Sequence, residues 1–95
     1  MYKISELASL DIDSIIDYTI LNFGVDAMIE YHSSLENCFE TIAANPGIGL
    51  ESNFIRNEYL RFNHRTHVIF YQIIESNILI VRVLHNSMDV VGQFV

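Results

Sequence analysis

The side chains equipped for chemistry in this chain are few, and most lie in its second half. Arg56, Arg61, Arg65 and Arg82 are the whole Lys/Arg inventory after Ile55, accompanied by His64, His67 and His85. In-line cleavage of a phosphodiester needs one group to activate a hydroxyl, one to protonate the leaving oxygen and one to stabilise the charged phosphorane. Arg61, Arg65, Arg82 and His85 are the only set of types that meets those needs. Arg82 and His85 are three apart in a strand-like segment, so they face opposite ways unless the strand bulges. A dense Lys/Arg cluster to hold RNA is missing. His64 and His67 have no Cys or acid nearby to complete a tetrahedral metal set, and they read as turn and strand histidines with ordinary hydrogen bonds. His67 and His85 fall close across the last hairpin, which suits mutual packing better than catalysis. There is no Gly-rich phosphate loop, nucleophile elbow or serine triad. The residues therefore point away from an enzyme, a metal or a cofactor and towards binding surfaces.

For binding, an arginine can grip a carboxylate through two parallel hydrogen bonds. The carboxylate is either a partner's or the chain's own Glu58, Glu75 or Asp89. Met88-Asp89 and the apolar tail of Val90, Val91, Phe94 and Val95 either close the core over the sheet or meet a target. Arg56, Arg61, Arg65, Arg82, His85, Met88 and Asp89 are thus the candidate contact residues.

The elements that must position them can be read from periodicity. Tyr2-Lys3-Ile4 is long enough for a short strand. Ser5 offers a helix N-cap and Glu6 suits the positive end of the helix dipole. Ala8, Ile12, Ile15, Ile16, Thr19 and Phe23 fall on one face of an amphipathic helix, with Asp11, Asp13 and Asp17 largely off it. Gly24 ends that helix in a left-handed conformation. A second helix runs from about Asp26 to Ala44 on an apolar face of Ala27, Tyr31, Leu35, Cys38, Ile42 and Ala43, until Asn45-Pro46-Gly47-Ile48-Gly49 breaks it. So tight a link makes the two helices an antiparallel hairpin. The period then changes to two, giving strands at Tyr59–Asn63, His67–Ile74 and Ile78–His85, the last two joined by the turn Glu75-Ser76-Asn77. In the last strand Ile78, Ile80, Arg82 and Leu84 share one face and Leu79, Val81, Val83 and His85 the other. Both are apolar, so the strand is expected to be central. The order predicts one α+β domain over residues 1–95, β-α-α-β-β-β, with the hairpin packed on a mostly antiparallel twisted sheet.

Composition narrows the classes further. Ninety-five residues at 51% hydrophobic, with a mean hydropathy of +0.26, build a core and argue against disorder. The formal net charge is -7, and between Ile4 and Ile55 there are nine acids and no Lys or Arg. Phosphate contacts dominate nucleic-acid affinity, so a broad nucleic-acid surface is excluded. The start, Met1 to Glu6, lacks a basic region followed by a long apolar one, and Ile78-Leu79-Ile80-Val81 is far too short for a membrane span. The lone Cys38 reads as a small buried hydrophobe, consistent with a reducing cytoplasm.

Along nearly its whole length the sequence resembles the ParE branch of the RelE/ParE toxin superfamily. In the helices the resemblance rests on Ala8, Asp11, Ile12, Ile15, Tyr18 and Gly24, then on Ala27, Tyr31, Leu35, Ile42, Ala43, Pro46 and Gly49. It is more specific in Ile55-Arg56, Tyr59, Arg61-Phe62, His67-Val68-Ile69-Phe70-Tyr71-Gln72, Val81-Arg82-Val83-Leu84-His85 and Met88-Asp89. The resemblance implies a toxin that blocks DNA gyrase and stops replication, neutralised by a ParD-like antitoxin whose C-terminal segment wraps around it, as a hetero-oligomer or alongside a homodimer. Family members are often basic; the acidic balance here implies compensating Lys and Arg in the antitoxin segment. Two other readings stay open: a RelE-like ribosome-dependent mRNA endoribonuclease, for which Arg61 and Arg82 would be indispensable, and an inactive relative kept as a binding partner.

Overall fold

The computed structural model describes residues 1–52, 58–75 and 77–94. Ile55, Arg56, Val95 and Ser76 of the expected turn lie outside them.

The chain opens with β1 (Tyr2–Ile4) and enters α1 (Glu6–Phe23) through Ser5. Ser5 has extended backbone, and its Oγ accepts the Ala8 N–H at 3.0 Å, satisfying one of the orphan donors of the first turn. Gly24, at φ +91° and ψ 173°, is the whole link to α2 (Val25–Ala44). The positive φ agrees with the sequence reading, while the ψ lies outside the left-handed helical well, and a side chain there would be strained. After α2 come a 3-10 turn at Pro46–Ile48, then β2 (Leu50–Glu51), β3 (Tyr59–His64), β4 (His67–Ile74), β5 (Asn77–His85) and a short C-terminal α3 (Val90–Phe94). The two-residue β2, the 3-10 turn and α3 are additions to the predicted order.

The sheet runs β1-β5-β4-β3-β2, with β1 parallel to β5 and the other pairs antiparallel. β5 is therefore an interior strand, as its two apolar faces require. The core under the hairpin joins Ala8 of α1 and Leu35, Cys38, Phe39 and Ile42 of α2 to Ile69, Tyr71, Ile78, Ile80 and Val83 of the sheet. Burial raises the Cys38 thiol pKa to about 11, so it stays protonated and inert. Within the resemblance-based fold the hairpin, the sheet and their order agree with expectation.

Two expectations need correction. Phe23 is 68% exposed and does not join the α1 core face. The alternation of β5 also breaks midway: Phe70 pairs with Arg82 but Tyr71 with Ile80, leaving Val81 as the extra residue of a β-bulge. The bulge turns Val83 onto the hairpin face beside Ile78 and Ile80, and the pairing of His85 with His67 follows from the shifted register.

Candidate functional site

Where the hairpin overhangs the end of β4 and β5, it leaves a groove of about 840 Å3. One wall is α1, with Asp11, Ser14, Ile15, Tyr18 and Thr19; the opposite wall holds Glu30 and Tyr31 of α2. The floor carries His67, Arg82 and His85, and the rim carries Ser87 and Met88. The mixture is apolar with a few convergent polar groups, the composition of a binding cleft.

Arg82 lies on the strand face away from the hairpin but wraps round the edge of β5 to reach α1. Its Nε donates to Asp11 Oδ2 at 2.7 Å and its Nη2 to Asp11 Oδ1 at 2.9 Å. Asp11 Oδ2 also accepts the Val83 N–H at 3.0 Å. The Ser5 N–H donates to the Ile80 carbonyl at 2.9 Å and the Ser5 hydroxyl to that of Val81 at 2.8 Å. Side chains and backbone of the α1 entry thus continue the edge of β5 where β1 stops, satisfying groups that an open edge would expose. The carboxylate raises the Arg82 pKa further. A third donor, Nη1, reaches the Gln93 carbonyl at 3.1 Å, and the guanidinium stands 5.9 Å from the Phe94 ring centre.

At the other end of the groove Arg65 occupies a two-residue turn at φ +52°. Its guanidinium grips Glu30 through bonds of 3.0 and 2.8 Å and lies 5.4 Å from the Tyr31 ring centre. The Arg65 hydrogen bond lowers the Glu30 pKa. The expected partners Glu58, Glu75 and Asp89 are therefore replaced, for Arg65 and Arg82, by acids of the two helices. Asp89 instead accepts the Gly92 N–H at 3.3 Å, at the start of α3. Met88 is exposed at the groove rim.

His67 is half-buried between these pairs. Tyr31 Oη lies 2.5 Å from His67 Nδ1, and the His85 ring meets the His67 ring edge-on at 5.4 Å, the proximity expected across the hairpin. Burial, then His85 and His64, push the His67 pKa down to about 4, while burial raises that of Tyr31. The pair is thus neutral at pH 7, and the Tyr31 hydroxyl and His67 Nδ1 share one hydrogen bond. His85 Nδ1 pairs with Ser87 Oγ at 2.6 Å, and His64 Nε2 with Ser34 Oγ at 3.0 Å. Among the described residues no three His, Cys, Asp or Glu side chains come together as metal ligands, and no helix is long and apolar enough to cross a membrane.

Arg61, Phe70 and Arg82 form one row across β3, β4 and β5, on the sheet face away from the hairpin. Phe94 of α3 packs on that face against Phe70 and Tyr59, with ring centres 5.2 and 5.7 Å apart. The part of the tail containing Phe94 thus covers the sheet, one of the two uses expected for it. Arg65, Arg82 and His85 border the groove or stand in it, while Arg61 stands in the row on the other face and Arg56 is outside the described residues. Sequence reasoning missed Asp11, Glu30 and Tyr31 as site residues. The first two read as solvent-facing acids and the third as core, and only their long-range partners mark them.

Comparison with known proteins agrees with the fold. A family model described as the ParE toxin of the type II toxin–antitoxin system parDE matches residues 2–90. The chain is 35% identical over 88 residues to Toxin ParE1 of Caulobacter vibrioides, covering 93% of this chain and 91% of that one. It is 37% identical over 90 residues to Toxin ParE1 of Mycobacterium tuberculosis, covering 94% and 92%. A solved structure titled as the chromosomal ParDE TA system from P. aeruginosa superposes with a TM-score of 0.77 over 88% of this chain and 92% of that chain. Its 17% identity speaks for the fold alone.

Proposed function

The chain belongs to the ParE toxin family of type II toxin–antitoxin systems, and from that premise we propose that it inhibits DNA gyrase by binding, with no active site of its own, in the cytoplasm. The observation that supports the non-enzymatic part is the engagement of the two arginines at the groove. Arg82 is spent on Asp11 and Arg65 on Glu30, and His67 is held neutral against Tyr31. Neither of these two guanidiniums can turn to a phosphorane in the groove without breaking its ion pair.

A ParD-like antitoxin neutralises the toxin in this reading. Its C-terminal segment takes the groove between hairpin and β5, or extends the sheet at the short β2 edge, the two modes by which helices and strands dock on such surfaces. Because this chain carries -7, that segment is net positive.

The test is supercoiling of relaxed plasmid by purified gyrase with increasing toxin. Inhibition with linear DNA appearing, relieved by the antitoxin, is the expected result. Unimpaired supercoiling at large molar excess of folded toxin rejects gyrase inhibition.

A further inference from the structure

Helix α1 carries a second apolar face that the fold leaves uncovered. Its core side is Ala8, Ile12, Ile15 and Thr19. About 130° round the helix stand Leu7, Leu10, Tyr18 and Leu21, within an arc of about 80° at 3.6 residues per turn. They are 56%, 55%, 62% and 85% exposed. With Ser14 between them, positions 7, 10, 14, 18 and 21 keep close to the spacing of a helix–helix seam, over about 21 Å of axis. Ser14 and Tyr18 also line the groove, so the two surfaces are continuous.

One flank of the stripe is acidic. Glu6, Asp13 and Asp17 are exposed and lie within about 40° of each other around the axis. Asp13 and Asp17 are four residues apart, a spacing at which like charges destabilise a helix by a few tenths of a kcal/mol. Neither α1 nor α2 contains a Lys or Arg to offset them, and neither helix has a basic residue in its last turn. A second copy paired antiparallel through this face would set acid flank against acid flank.

We propose that a helix of the antitoxin lies along Leu7, Leu10, Tyr18 and Leu21, with Lys or Arg side chains facing Glu6, Asp13 and Asp17. The assignment rests on the toxin–antitoxin reading and adds to it a docking surface that runs from the groove rim onto the outer face of α1, and the chemistry of the helix that covers it. The apolar seam supplies the adhesion and the acid flank sets direction and partner choice.

The test measures affinity of the full-length cognate antitoxin for the intact toxin and its variants by calorimetry. Leu10→Ser combined with Leu21→Ser should weaken binding at least 30-fold, and Asp13→Lys with Asp17→Lys about 10-fold, the latter difference shrinking at 0.5 M salt. Melting curves of the variants keep folding in view, and Ile73→Thr, an exposed position elsewhere, should bind as the parent does. Parent-like affinity in the Leu10/Leu21 variant overturns the docking surface while leaving the antitoxin partnership intact. No binding by any form overturns the partnership and the surface together. A toxin that sediments as a dimer alone, and as a monomer after the Leu10/Leu21 change, assigns the stripe to a second copy and overturns the proposal.

Discussion

Asp11 and Arg82 meet through two hydrogen bonds, at 2.7 and 2.9 Å, with side chains only 14% and 12% exposed. Seventy-one residues apart, they tie α1 to the edge of β5, and the same carboxylate takes the Val83 N–H. Removing one partner strands the other charge in a place where water solvates it poorly. Asp11→Ala should therefore cost about 3 kcal/mol in urea unfolding. Arg82→Lys keeps the charge but loses the fork, and should recover only part of that stability. Equal stability of parent and Asp11→Ala would show that the pair is a surface contact.

Burial of His67, with His85 and His64 beside it, makes stability fall with acid. The ordinary histidine value is 6.5, and His67 in the folded chain titrates at about 4. Between those values the unfolded chain takes up the proton first, so stability is complete above pH 6.5 and declines until about pH 4. That gap corresponds to at most about 3 kcal/mol, which water reaching the half-buried ring reduces to about 2 kcal/mol. His64, lowered mainly by burial, acts in the same direction. Urea midpoints at pH 7.5 and 4.5 should differ clearly in the parent and much less in His67→Gln, whose amide can still hydrogen-bond Tyr31 but does not titrate. An unchanged pH dependence in that variant would assign the acid loss elsewhere.

These two pairs mark the boundary of what the sequence reveals. The helices and strands are legible because Leu35, Cys38 and Ile42, or Ile69 and Tyr71, repeat at the spacing of their element. The bulge at Val81 is not, since Ile78 to His85 contains no Gly or Pro to announce an extra residue, and it moves Val83 to the opposite face. Asp11 and Glu30 look like solvent-facing acids until Arg82 and Arg65 arrive from distant strands. Leu7, Leu10, Tyr18 and Leu21 were hidden differently: α1 is apolar on two sides, and the face with Ala8 satisfies the expected pattern alone.

Tyr71 locks the exit from α2. Its hydroxyl donates to the Pro46 carbonyl at 2.6 Å and accepts the Gly49 N–H at 2.9 Å. A Cβ on Gly49 would lie 2.5 Å from that oxygen and 2.8 Å from the Arg61 carbonyl, closer than real contacts allow. Gly49→Ala should destabilise by about 2 kcal/mol, through overpacking. Tyr71→Phe leaves a Gly49 N–H without its partner and should cost about 1–2 kcal/mol. Thermal melts of both variants give the comparison, and a parent-like melt for Gly49→Ala would mean that the turn moves freely away from Tyr71.

Phe94 anchors a helix that cannot persist alone, since five residues are too few for an isolated helix. The ring packs on Phe70 and Tyr59, and Arg82 holds the Gln93 carbonyl while standing beside the ring. Phe94→Ala should release α3 and uncover Phe70, which is otherwise 1% exposed. The expected cost is about 2 kcal/mol, below that of a deep core site because the segment can leave without opening a closed cavity. Hydrogen exchange should show the Gln93 amide, which donates to the Asp89 carbonyl at 3.2 Å, losing its protection while the β4–β5 amides keep theirs. Arg82→Lys should loosen the same amide to a lesser degree, because it removes the Gln93 bond but leaves the ring in place. Retained Gln93 protection in Phe94→Ala would show that α3 is held by something other than its aromatic anchor.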